Sequence, residues 1–174
     1  MAIRPIVTYP DPALRQRCVP IEDPTAEDAR QLAQDLAETM YDAPGVGLAA
    51  PQIGVSRCIV VTDTAWREDG AERDLHVWVN PQFLWLSDET RSFEEGCLSI
   101  PETYVEVVRP VAVRLRWQDL EADWHQADYD GLMATALQHE FDHLDGKLFI
   151  DLLNPLRRRM LKRKLKKQAL REAS

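Results

Sequence analysis

The chain moves between helical and strand-like spacing of its apolar positions. Ala29, Leu32, Ala33, Leu36 and Met40 recur every three or four residues, which places them on one helix face. They predict a helix over 25–41. Thr25 and Asp28 resemble a capping box at its start, with Asp replacing the usual Glu or Gln. Pro44 and Gly45 stop it. Asp11-Pro12 reads as a cap followed by proline at the first helical position, sufficient for one short turn. The apolar runs 58–62 and 75–79 predict buried strands, the second ended by Pro81. Val111, Val113, Leu115 and Trp117 alternate with Ala112, Arg114 and Arg116, as in a half-exposed strand. A polar, glycine-containing loop covers 66–73. Asp130-Gly131 opens a helix that runs to 144 and is closed by Gly146, and a last helix starting with proline covers 155–172, in which Leu156, Met160 and Leu165 can pack while most of its cations face water. Helices at both ends with strands between them predict an α+β fold. Short mixed or antiparallel strands would surround a central helix, and a C-terminal helix would complete the chain.

Composition narrows this picture. The 174 residues suit one domain, and 45% apolar with 29% charged residues is ordinary for a globular protein. The net charge of −8 is uneven. From Pro155 onward there are nine basic residues and one acidic residue, a net of +8, which leaves −16 on the rest. We therefore expect a body at 1–154 and a basic helix at 155–174, either part of the same domain or appended to it. Three cysteines, Cys18, Cys58 and Cys97, are not a disulfide framework. The N-terminus lacks the apolar run of a signal peptide, and no segment reaches the roughly 18 apolar residues of a membrane span. The expected location is the cytoplasm, with no membrane partner.

His139-Glu140-Phe141-Asp142-His143 is an HExxH motif inside the central predicted helix. Histidines four residues apart lie one turn apart on one face, so two imidazoles can reach one metal ion. Glu140 then lies where it can handle a proton on water held by that ion. The bland alternative is two surface histidines and a helix glutamate. A catalytic centre generally needs a third protein ligand. The extended pattern HExxHxxGxxH would place it at 149, which is Phe149, and no histidine follows His143. The third ligand is therefore expected upstream, from His76, His125 or a cysteine. Cys97, in Glu95-Gly96-Cys97-Leu98-Ser99, is the best placed: glycine precedes it, and Leu98 and Ile100 argue for an extended core segment. A thiolate suits zinc or ferrous iron, although a free cysteine is as often a small buried hydrophobe. Cys18 and Cys58 read as core or surface residues.

The stretch Gly45-Val46-Gly47-Leu48-Ala49-Ala50-Pro51-Gln52 formally fits a dinucleotide fingerprint. That fingerprint needs a strand before it and a helix opening from it; here a helix precedes it, and Pro51 and Gly54 break the downstream segment. The better reading is a glycine-lined extended segment against which a ligand backbone lies, with Gln52 offering one amide. A glycine-rich loop packed on the core is the bland alternative.

Together these three stretches resemble, in order and complete, the motifs of the peptide deformylases: GφGφAAxQ at 45–52 (φ being apolar), EGCLS at 95–99 and QHExDH at 138–143. The resemblance also takes in the N-terminal stretch and both end helices. It implies an α+β metallohydrolase that removes the formyl group from the formyl-methionine of nascent chains and releases formate. By that resemblance Cys97, His139 and His143 hold one divalent ion per chain, Fe²⁺ in the cell and Zn²⁺ or Ni²⁺ in purified protein. Glu140 is the general base and then acid. The Gln52 amide and the Leu98 backbone N–H form the oxyanion site. Val46, Gly47 and Gly96 bind the substrate backbone. Leu132, Thr135 and Ala136, on the same helix face as His139, wall a pocket for methionine. The chain departs from the common pattern at Tyr104, where an arginine is frequent. In some relatives the C-terminal helix docks at the ribosome, which is the expected partner here besides formylmethionyl peptides; no sequence-specific nucleic acid is expected. Two other readings stay open. A zinc endopeptidase would need another third ligand. A ribosome-binding protein with a closed structural metal site would need His76 or His125 as a fourth.

Overall fold

The computed structural model describes residues 2–173. After one 3₁₀ turn at Pro12–Arg15 come helix α1 (Glu27–Asp42), strands β1 (Gly47–Ala49), β2 (Ile59–Thr62), β3 (His76–Leu86), β4 (Thr90–Cys97), β5 (Ile100–Pro110), β6 (Ala112–Gln118) and β7 (Trp124–Asp130), then helices α2 (Gly131–Leu144) and α3 (Pro155–Glu172). A five-stranded sheet has the order β1-β2-β3-β6-β7, and β4 with β5 form a separate hairpin. Every named pairing is antiparallel. The fold is thus α+β, and its strands are antiparallel rather than mixed.

The unbroken apolar run of β2 has a direct cause, since all four residues are buried. Ile59 and Val61 pack with Leu32, Leu36 and Met40 of α1. Val60 faces the other way, toward Leu137, Phe141 and Leu144 of α2, alongside the buried Trp78. One short strand is therefore covered on both faces by helices, and α2 is centred in the molecule. A third cluster joins Leu14, Ile100, Val107, Phe149, Ile150 and Leu165, and it ties the β4–β5 hairpin to α3.

Three expectations need correction. Helix α1 has Ala26 as its N-cap, with no side-chain cap. Thr25 turns its hydroxyl to Asp23, and Asp28 pairs with Arg57, so no capping box forms. Glu27 and Asp28 still complement the helix dipole in the first turn. Pro81 does not end its strand. β3 runs on to Leu86 because the register with β6 shifts between Val79 and Gln82, and such an irregularity tolerates a proline. Asn80 takes a φ of 49° there, held by hydrogen bonds to Ile21 and Gln118. In α3, Leu165 packs inward, but Leu156 and Met160 remain 66% and 64% exposed. The inward stripe is Leu161 and Leu165 instead.

The end of α2 is locked to the N-terminal turn. Gly146 has a φ of +71°, and a Cβ there would collide with the carbonyl oxygen of Arg15. Arg15 itself reaches Asp151 at 2.6 Å. Gly146→Ala combines left-handed backbone strain with a backbone clash. It is expected to cost about 2–3 kcal/mol of stability, read as a lower urea midpoint with an unchanged slope.

Candidate metal centre

Histidines four apart on one face require a real helix, and α2 is one, with His139, Glu140 and His143 all buried. Cys97 is the last residue of β4, where the hairpin register breaks between Gly96 and Cys97 before turning into β5. The turn brings its sulfur over α2. One ligand atom from each of Cys97, His139 and His143 lies within 4.8 Å of the others. Sγ of Cys97 is 3.5 Å from Nε2 of His143. His76 and His125 sit elsewhere, paired with Asp74 and Asp119 on the surface. Cys18 and Cys58 are free thiols in the second core cluster. Burial first, then Cys58 and Asp145, push the Cys18 thiol up to about 12. Among the described residues this trio is the sole grouping able to hold an ion, and no fourth side chain closes it.

The donor set fits a divalent metal on the chemistry of its atoms. Nδ1 of His139 donates to Oε1 of Glu95 at 2.9 Å, which leaves Nε2 as the nitrogen available to a metal. A carboxylate behind a histidine is the usual support for a ligating imidazole. Burial pulls His143 well below its ordinary range, and the neighbouring His139 adds to this, so it is the neutral imidazole a metal requires. Burial alone would lower His139 as well. Its contacts with Cys97 and Glu95 outweigh that and raise it. Without an ion His139 therefore carries the one positive charge of the pair, and a bound cation would take the place of its Nε2 proton.

Sequence alone assigns no role to Glu95 and its partners. Burial would raise the Glu95 carboxyl, but hydrogen bonds from His139 and Arg109 hold it below the ordinary range. Arg109 of β5 grips Glu95 with Nε at 2.6 Å and Nη2 at 2.9 Å, and its Nη1 meets Asp142 at 3.0 Å. One buried guanidinium thus fastens the hairpin to the HExxH helix. Glu95 belongs to a recognised motif and offers a signal; Arg109 lies fourteen residues away with none.

Glu140 adjoins this centre. Its Oε1 is 4.0 Å from Nε2 of His139. Its Oε2 and the Nδ1 of His143 are buried without a hydrogen-bond partner among the described residues. Burial pushes the Glu140 carboxyl up to about 7, with His139 pulling the other way. Gly47 is packed on it: a Cβ there would stand 2.8 Å from Cγ and Oε1 of Glu140. Gly47→Ala is therefore expected to displace Glu140 and lower turnover more than tenfold, while the melting temperature falls only slightly.

A cleft of about 480 Å³ opens over the centre, lined by Val46, Gly47, Gln52, Gly96, Leu98 and Glu140 among others. Gln52 is oriented by its surroundings. Its Oε1 accepts from the Ala49 amide at 2.9 Å, so its Nε2 faces Ser99 Oγ at 3.1 Å and Cys97 Sγ at 3.6 Å. A directed N–H donor therefore stands beside the thiolate ligand. Leu132, Thr135 and Ala136 follow the same face of α2 away from His139 and are not among the cleft-lining residues. Ala136 and Thr135 are buried, Leu132 is 42% exposed, and Arg91 of β4 donates to the Thr135 hydroxyl at 3.3 Å. Gly96 meets the ring of Tyr104, which leaves no room for a side chain at 96.

The profile of the Polypeptide deformylase family matches residues 3–159. A peptide deformylase of Afipia carboxidovorans is 49% identical over 97% of this chain and 97% of its own. Among solved structures, a peptide deformylase from Legionella pneumophila superposes with a TM-score of 0.87 at 44% identity, covering 99% of this chain and 98% of that one. One from Ehrlichia chaffeensis, in complex with actinonin, gives 0.88 at 33% identity over 97% and 98%.

Proposed function

Because this chain belongs to the polypeptide deformylase family, we propose that its Cys97–His139–His143 centre is where it performs the family's reaction. Deformylases remove the N-formyl group from nascent peptides, and this protein is such a hydrolase. The observation that carries the site assignment is the gathering of three ligand atoms within 4.8 Å beside a buried carboxylate.

A divalent ion bound there supplies Lewis acidity that makes a water nucleophilic near neutral pH. The chain's residues do the rest. Glu140, buried beside the ligands, takes a proton from the attacking water and returns it to the amine that leaves. The Gln52 amide and the Leu98 backbone N–H are assigned to the formyl oxygen as negative charge develops on it. Val46, Gly47 and Gly96 present backbone to an extended peptide. Leu132, Thr135 and Ala136 are assigned to the methionine side chain, along the α2 face that leads away from the metal. Iron as Fe²⁺ is the proposed ion in the cell, with Zn²⁺ or Ni²⁺ as isolated, since two imidazoles and a thiolate accept all three.

Residues 1–154 would form the catalytic body and 155–174 a basic helix in contact with it. In α3, Arg157, Arg159, Arg163, Lys164, Lys166 and Lys167 are exposed beside the exposed Leu156 and Met160. A cationic helix of this kind supports docking on ribosomal RNA in the cytoplasm. No helix among the described residues is long and apolar enough to cross a membrane. Co-sedimentation with ribosomes over a salt series tests the docking. It should weaken steeply with salt and vanish when Arg159, Arg163 and Lys166 are changed to Glu; unchanged sedimentation would remove α3 as the contact.

The activity itself is tested with formyl-Met-Ala-Ser and its acetylated analogue. Formate from the first and no cleavage of the second is the expected result. Cleavage at an internal bond would make the chain an endopeptidase.

A further inference from the structure

We propose that Arg67 reads the third residue of the formylated chain and favours an acidic side chain there, a specificity that rests on the deformylase reading above. The loop that carries Arg67 is built, not loose. The buried Asp63 at its base accepts hydrogen bonds from the Tyr41 hydroxyl and from the amides of Ala65, Trp66 and Asp74. Burial would raise that carboxyl, and these donors hold it below its ordinary range instead. Trp66 stands edge-on to Tyr41 with centroids 5.1 Å apart, and its indole donates to the Gly45 carbonyl at 2.8 Å. Arg73 lies 3.9 Å from the centroid of the same tyrosine ring. The indole thus pins the loop to the Gly45 stretch, and Arg67, the next residue, lines the same cleft as Gly45. It has no hydrogen bond or ion pair among the described residues.

The direction of β1 determines which substrate residue meets it. The chain enters the cleft at Pro44 and reaches Gly47 against Glu140, close to the metal ligands. A peptide with its formyl end at the metal must run the opposite way, antiparallel to that segment. Its first residue lies beside Gly47. Two residues of extended chain advance about 7 Å, which brings the third beside Gly45 and Arg67. Glu102 and Tyr104 of β5 also line this cleft, and of the three only Arg67 offers a carboxylate a cation. The acidic body disfavours anionic peptides at long range, but at about 0.1 M salt that field is screened beyond about 10 Å, whereas a contact with Arg67 is shorter than this and is weakened by salt without being removed.

The test compares formyl-Met-Ala-Glu-amide with formyl-Met-Ala-Lys-amide, amidated so that no terminal carboxylate competes. At about 0.1 M ionic strength, where the long-range field of the body is screened, kcat/KM should favour the glutamate peptide about three- to fivefold, the range of an exposed ion pair. The difference should lie in KM and shrink with added salt. Arg67→Ala should abolish the preference and Arg67→Glu should reverse it. Formate released equally from both peptides, or a glutamate preference that survives Arg67→Glu, overturns this proposal alone. No formate from either peptide overturns the deformylase reading and this proposal with it.

Discussion

Glu140→Gln is expected to keep its metal and to lose formate release by at least about a thousandfold. General acid–base catalysis typically contributes a hundredfold to ten-thousandfold, and here one group serves both proton transfers. Glutamine has the same shape, so the packing of Gly47 against position 140 survives. It lies beside the ligands without being one, so metal content measured after dialysis should stay unchanged. Stability supplies a control in the opposite direction. Burial raises Glu140 to about 7 from 4.5. A carboxyl raised on folding favours the folded state at low pH, and that contribution is lost as pH rises from the unfolded to the folded value. At pH 8 the ionised side chain is therefore a burden that glutamine lacks. Metal-depleted Glu140→Gln should melt at a higher temperature than metal-depleted native protein at that pH. Together, lost turnover and gained stability are a combination that misfolding does not produce.

Arg109→Ala is expected to cost about 3–5 kcal/mol, because it strands the buried Glu95 and the half-buried Asp142 without their shared countercharge. That is a large part of the 5–15 kcal/mol typical of a domain. Lysine should rescue little, since it cannot make the two-pronged contact with Glu95. Where the variant remains folded, its metal affinity should drop about ten- to a hundredfold, the usual effect of disturbing the support behind a ligating histidine. Acid unfolding gives a further readout. Glu95 is depressed below 4.5 on folding, so its contribution is present above that value and is lost as pH falls through the depressed one. The native protein should lose stability over that acidic range, and Arg109→Ala should lose less there because the part of the depression that Arg109 supplies is gone while the His139 hydrogen bond remains. Urea midpoints across pH measure both.

The parts of the site that are legible in sequence are those built locally. His139, Glu140 and His143 share one helix face by spacing alone, and a glycine-flanked Cys97 in an apolar setting stands out for its chemistry. The β4–β5 hairpin that delivers Cys97 is not legible as strands, because most of β4 is solvent-exposed and carries no alternation to detect. β7 escapes detection for the same reason, as a polar edge strand. Arg109 and Glu95 meet across that hairpin, and Asp142 joins from a helix 33 residues on. Such a network depends on strand register and leaves no periodic trace. Arg67 likewise depends on how Asp63 and Trp66 fold a polar loop back on Gly45. Two surface details go the other way. Local chemistry suggests a capping box at Thr25 and packing for Leu156 and Met160, whereas tertiary contacts choose Arg57 for Asp28 and Leu161 with Leu165 for the α3 seam.

The most direct measurement is a titration of metal-depleted protein with Ni²⁺ or Fe²⁺ under anaerobic conditions, following formate release from formyl-Met-Ala-Ser. Activity should rise in proportion to bound ion and level off at one per chain, the capacity of the Cys97–His139–His143 grouping, the one such grouping among the described residues, and Cys97→Ala should neither hold the ion nor release formate. Formate release by the ion-free protein, or full activity in Cys97→Ala, would contradict the account.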